Sequence, residues 1–227
     1  MNNAIFKYGM SYEEAISAAK AFVLDGGNLW SKDLCEENLV SFLIECYSKS
    51  YGLFIVNPDN EIDGYWLNPE RETEQPIHKR RSGIVNDLEW IRTHGFDFED
   101  DCKRYINDQN LDRFESPIIK ASCIANDAYL FEYLLNNGYS ELLYETISPE
   151  DGDESSFVID WIWDDLDMQS EKFRWHKNNA YDATPAYADT ALLLKMLIFY
   201  GCQKRGGFVV RVHPDLKISF PGPIYLY

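Results

Sequence analysis

The residues whose spacing comes nearest to a chemical site are carboxylates. Asp59, Glu61, Asp63 and Glu70 supply oxygens at positions one, three, five and twelve of a calcium-type loop, with Gly64 at position six. Oxygens so placed can wrap a hard cation, because the glycine permits the sharp turn. The flanks oppose that chemistry. Pro58 and an apolar run precede the loop where a helix is needed, Pro69 and Arg71 follow it, and Trp66 stands where a small aliphatic belongs. The competing reading is a hairpin closed at Asp63-Gly64, and no residue is assigned as a metal ligand.

Other reactive side chains are scattered. Cys35, Cys46, Cys102, Cys123 and Cys202 form no CxxC pair, and His78, His94, His176 and His213 are equally dispersed. Cys46 and Cys123 fall on apolar helical faces, so they read as buried, reduced hydrophobes. A Cys-His pair such as Cys102 with His94 would need tertiary structure to form it. The chain has no GxSxG, phosphate-binding loop, GxGxxG or HExxH motif. The expectation is no catalytic residue, no cofactor and no enzymatic activity, with a divergent enzyme or a calcium-binding protein as the alternative.

Charge says more. A net charge of −17 repels phosphates and argues against direct nucleic-acid binding. It would instead steer a basic partner toward the chain. The carboxylates cluster: Asp97, Glu99, Asp100 and Asp101 in one run, Glu150, Asp151, Asp153 and Glu154 in a second, and Asp160, Asp164, Asp165 and Asp167 in a third. Trp161 and Trp163 lie within the third. Acids beside large aromatics make anchors for a basic protein surface. The candidate partner-binding residues are therefore Trp161, Trp163, Asp164, Asp165 and Asp167, with Glu150, Asp151, Asp153 and Glu154. Each run reads first as a solvated face.

Elements must position these groups. Ser11 and Glu14 form a capping box before Ala15, Ala18, Ala19, Phe22 and Val23, and Gly26-Gly27 stops that helix. A second helix is expected from near Asp33, with a stripe of Leu39, Phe42, Leu43, Cys46 and Tyr47. Residues 53–56 and 65–67 read as a short hairpin, and 68–82 as an exposed loop carrying Lys79-Arg80-Arg81. A helix ends at His94-Gly95, followed by an acidic connector. Ser116-Pro117 opens a short helix with Ile118, Ala121 and Ala125 on one face, the Ser116 hydroxyl serving as cap. Asn126-Asp127 is a turn, and Leu130, Tyr133 and Leu134 line a second helix ended by Gly138. Residues 157–166 read as a helix with Trp161, Ile162 and Leu166 inward, and 170–183 as a loop. A last helix ends at Gly201, and the tail alternates as a β-hairpin around His213-Pro214-Asp215.

The stretch Ser116-Pro117-Ile118-Ile119-Lys120-Ala121, with Tyr133-Leu134-Leu135-Asn136-Asn137-Gly138, resembles an ankyrin repeat. Ser replaces the family's opening Thr and Ile its His, and the unit is one residue longer. Asp87 to Gly95 and Thr184-Pro185 to Gly201 are weaker echoes, with Asp189 where an Ala is expected. The glycines at 95, 138 and 201 are spaced more widely than the family's period of about 33 residues. An ordinary all-α domain is the alternative. The resemblance implies a mostly α fold of stacked helical hairpins with short β-hairpin insertions and a β-hairpin tail. It implies one domain over 1–227: a helical and β hairpin with loop in 1–82, degenerate repeats in 83–201 and the tail in 202–227. Ankyrin-like arrays bind proteins. In size, charge and fold the chain also resembles the immunity proteins of bacterial toxin systems, which cover a basic toxin. The implied function is an acidic inhibitor binding a basic protein partner, with a non-inhibitory adaptor as the alternative. Neither membrane nor nucleic acid is an expected partner. Residues 1–10 lack a basic region followed by an apolar stretch, so the expected location is cytoplasmic.

Overall fold

The computed structural model describes residues 4–35, 38–51, 77–108, 111–147, 156–166, 192–194 and 196–197. The calcium-type loop, the hairpin at 53–67, Glu150, Asp151, Asp153, Glu154, Asp167 and the tail 202–227 lie outside the described residues.

The described residues are mostly helical. Helix α1 spans Tyr12–Leu24 and begins on the expected capping box: the Ser11 hydroxyl accepts from the Glu14 amide while the Glu14 carboxylate accepts from the Ser11 amide. It ends in a Schellman turn, with Gly27 N–H donating to Phe22 O and Gly26 N–H to Val23 O. Gly26 takes φ +85, which a side chain there would resist.

Helix α2, Leu39–Tyr51, starts one and a half turns later than expected from Asp33. Residues 28–35 fold instead into turns, and the Ile5 and Phe6 amides bond the Asp33 and Leu34 carbonyls. Asn38 is the effective cap, its Oδ1 accepting from the Ser41 amide at 2.9 Å. Of the predicted stripe, Leu39, Leu43, Cys46 and Tyr47 are buried and Phe42 is half-buried, while Val40 and Ile44 are buried beside it.

Helix α3, Ile77–Thr93, corrects the 77–82 part of the loop read over 68–82, because the backbone is helical from Ile77, while 68–76 lie outside the described residues. Lys and Arg are good helix formers, so a basic run can extend a helix without any apolar periodicity to announce it. Gly95, at φ +104, follows as expected. The acidic connector is corrected too. Asp97 caps helix α4, Phe98–Asn107, by accepting from the Glu99 and Asp100 amides. Acids in a first turn complement the positive end of the helix dipole, so this run is a helix start and not a linker.

The best-marked segment folds largely as read. Helix α5, Pro117–Ile119, has proline at its first turn and runs into a π turn over Lys120–Ile124. Ile118 and Ala121 are fully buried. The Ser116 hydroxyl makes no cap bond, however; it is buried without a partner among the described residues. The chain enters α5 directly from a 3-10 turn, Arg113–Glu115, and Asp112 does the capping there. Asn126 turns at φ +46, and Asp127 caps helix α6, Ala128–Leu134. Gly138, at φ +132, bends the following segment, and a Cβ there would meet the Glu99 amide nitrogen at 2.9 Å.

A two-residue antiparallel pair, β1 (Thr146–Ile147) with β2 (Ser156–Phe157), leads into helix α7 over 158–166. Residues from α1 to Leu197 share one hydrophobic cluster. Within it α2 packs on α1, α3 and α5, while α6 packs on α3 and α5. Helix α4 packs on the segment around Gly138. No helix among the described residues is long and apolar enough to cross a membrane.

Candidate functional site

Two neighbouring features could meet a partner: helix α7 and a cleft beside it. On α7, Val158, Ile159, Ile162 and Leu166 are buried, a spacing that turns one face fully inward. Trp161 and Trp163 are half-buried against the core, and Asp164 is exposed. The Trp161 ring meets Phe114 edge-on, with centroids 5.0 Å apart. Asp165 is half-buried and lies against Cys123, whose thiol is pushed well up by burial and then by that carboxylate. Of the nine residues predicted for a partner surface, four are therefore described. They share one short helix, with Asp164 outward and Asp165 directed partly inward.

The cleft has a cavity volume of about 440 Å³. Sequence reasoning missed it, because its residues converge from the turn after α1, the start of α2, α4 and the segment 111–115. Trp30 stacks on Phe96 at 4.1 Å and 12°, and the Arg104 guanidinium lies 5.2 Å from the Trp30 ring. The Trp30 indole N–H donates to Gly95 O at 2.9 Å, which fixes the ring. Asp101, 1% exposed, closes the inner wall. Asn38 Nδ2 donates to both its oxygens at 2.8 and 2.7 Å, and the Tyr139 hydroxyl donates at 2.7 Å. Burial raises the Asp101 carboxyl above the ordinary aspartate value, although those two donors pull the other way. Asp108, Asp112 and Glu115 are exposed at the rim, with Lys32 and Arg104. Asp112 and Glu115 flank the Phe114 that carries Trp161, so the cleft and α7 adjoin across one short turn.

A second cleft of about 540 Å³ shares Cys35 and Glu115 with the first. Its charges are internally matched. Lys120, nearly buried, pairs with Glu115 at 2.6 Å and Glu45 at 3.2 Å, and Glu45 also pairs with Lys49. Burial opposes the charge on Lys120, but both carboxylates outweigh it and its pKa is raised. This ladder ties α2 to the π turn that follows α5.

The cysteines are likewise quiet. Cys35, Cys46, Cys102 and Cys123 are buried and form no disulfide among the described residues, and burial pushes the Cys46 and Cys102 thiols to about 11. A thiol that keeps its proton at neutral pH is a poor nucleophile. His94 stacks on Trp90 at 3.8 Å and bonds the Trp90 carbonyl through Nδ1, so it is not held for Cys102. Among the described residues no cluster of His, Cys, Asp or Glu could hold a metal. No family model, curated protein or solved structure matches the chain at a significant level.

Proposed function

We propose that this chain is a protein-binding helical module, an acidic inhibitor of the immunity type whose partner is basic. The observation that carries the reading is helix α7. Its inner face is buried, while Trp161 and Trp163 remain half-exposed beside the exposed Asp164 on a chain of net charge −17. Tryptophan concentrates binding energy at interfaces, and rim carboxylates raise the encounter rate with a basic surface. In this reading α5 and α6 form one ankyrin-like hairpin layered on α2 and α3. The proline at the start of α5, the left-handed Asn126 and the left-handed Gly138 support it.

The test is capture of partners by the full chain at low and high salt, followed by calorimetry with the purified partner. Asp164→Lys should weaken binding about tenfold, and Trp163→Ala by a comparable factor. Asp165 is the wrong position to reverse, because its carboxylate lies against Cys123 inside the fold. Binding indifferent to salt and to both substitutions, or a partner that is acidic, ends the proposal. A basic partner whose own activity is unchanged on binding makes the module an adaptor instead of an inhibitor.

A further inference from the structure

We infer that Phe114 is a positioning residue for the partner-binding face of α7, holding the Trp161 ring in its half-exposed orientation before any partner arrives. The inference rests on the reading of α7 as a binding helix and adds what presets its geometry. Two observations carry it. The Phe114 and Trp161 rings meet edge-on, with centroids 5.0 Å apart and planes at 71°, an arrangement that aromatic quadrupoles favour. Both rings are half-buried and pack against the core. The turn that presents Phe114, Arg113–Glu115, is in turn tied at four points. Asp112 Oδ1 accepts from the Phe114 amide at 2.8 Å. The Glu115 carbonyl accepts from the Ser41 hydroxyl of α2 at 2.6 Å and from the Tyr105 hydroxyl of α4 at 3.3 Å. The Glu115 carboxylate pairs with Lys120 at 2.6 Å.

The physical reason is entropy. A surface tryptophan samples several side-chain rotamers, and a partner that needs one of them must freeze the rest. A ring fixed against the indole raises the cost of leaving that rotamer, so the ordering is done by the fold and not by binding. The fixing is only as good as the anchorage of Phe114, and that anchorage comes from α2, α4 and Lys120 together. Asp164 follows Trp161 by three residues, so the two occupy neighbouring positions on the surface of α7. Holding Trp161 therefore also sets the spacing between an aromatic anchor and the exposed carboxylate.

The test follows the indole N–H of Trp161, assigned through Trp161→Phe, by nitrogen-15 relaxation on the full chain with no partner added. Phe114→Leu keeps an apolar side chain and removes the ring. It should bring the Trp161 order parameter below about 0.6, the flexible range, while Trp163 keeps its value. Phe114→Tyr keeps the ring and should keep Trp161 rigid. The Ser41→Ala, Tyr105→Phe double variant frees the Glu115 carbonyl of both hydroxyls and leaves Phe114 in the sequence. It should loosen Trp161 in the same direction by a smaller amount. A rigid Trp161 in folded Phe114→Leu, an equal loosening of Trp163, or a loosened Trp161 in Phe114→Tyr overturns the inference. An unmoved Trp161 in the double variant overturns it as well, and decides the matter should Phe114→Leu fail to fold. With the basic partner purified by capture, Phe114→Leu should weaken binding about fivefold and Phe114→Tyr should not. The two proposals fail separately. A loosened Trp161 with unchanged affinity overturns the inference and leaves the proposed function standing. A loosened Trp161 with no basic partner captured removes the proposed function and leaves Phe114 as the residue that orders the ring.

Discussion

Two acidic runs look alike along the chain and differ in space. The run at 97–101 starts helix α4, and its last member is among the most deeply buried charged residues described. The run at 160–165 lies on α7 and leaves Asp164 exposed next to the half-buried Trp163. The difference teaches that an acidic cluster has no fixed meaning. At a helix N-terminus, carboxylates satisfy free amides and face the positive end of the dipole. Past the first turn of a helix that reward is gone, and an exposed carboxylate such as Asp164 stays within reach of a partner.

The sharpest way to break this contrast is to truncate one acid from each run. Asp101→Ala should cost about 3 kcal/mol of unfolding free energy, because the buried Tyr139 hydroxyl and the Asn38 amide lose their acceptor together. Urea unfolding measures it, and a loss below about 1 kcal/mol would mean that the node relaxes onto water. Gly138→Ala comes next, at about 2 kcal/mol, since it combines a positive φ with a methyl group pressed on the Glu99 amide at the mouth of α4. Asp97→Ala should cost about 1 kcal/mol, the usual value of a lost helix cap. Asp164→Lys should change stability by less than about 0.5 kcal/mol while weakening partner binding, the reverse of Asp101.

A pH titration gives the smallest effect and the cleanest sign. The Asp101 carboxyl titrates above its ordinary value, so the folded state holds that proton more tightly than the unfolded chain does. Its contribution to stability is therefore greatest below the unfolded pKa and falls as pH rises through the folded one. Asp101→Asn should remove that component from the stability profile. Glu89 behaves oppositely. Hydrogen bonds from Arg92 and then Tyr133 bring its carboxyl down to about 2. Its contribution is present above the unfolded glutamate pKa and is lost as pH falls from there through the folded value of about 2. Carbon-13 titration of both side chains checks the two directions at once.

Local chemistry was legible and distance was not. The Ser11-Glu14 box, the left-handed Gly26, Gly95 and Gly138, the Asn126 turn and the burial of Ile162 and Leu166 all follow from neighbours a few residues away. Helix α4 went unread because its first turn is nearly all acid, a pattern that suits a linker as well as a helix start. Asp101 looked solvated because its partners, Asn38 and Tyr139, stand 63 and 38 residues off. Ser116 read as a cap, yet the turn before it denies the hydroxyl that geometry. The cleft shows the same limit most fully. Trp30, Phe96, Arg104 and Asp112 come from separate segments, and no spacing along the chain joins them.

Asp127 carries a further implication for how the molecule opens. Its carboxylate holds the Tyr129 and Leu130 amides at the head of α6 and also takes the Tyr47 hydroxyl from the middle of α2. The leading end of α6 cannot fray without surrendering a tie to a helix eighty residues earlier. Amide exchange at Leu130 should therefore keep pace with the slowest protons of α2, marking both helices as one cooperative unit that yields only when the whole molecule does.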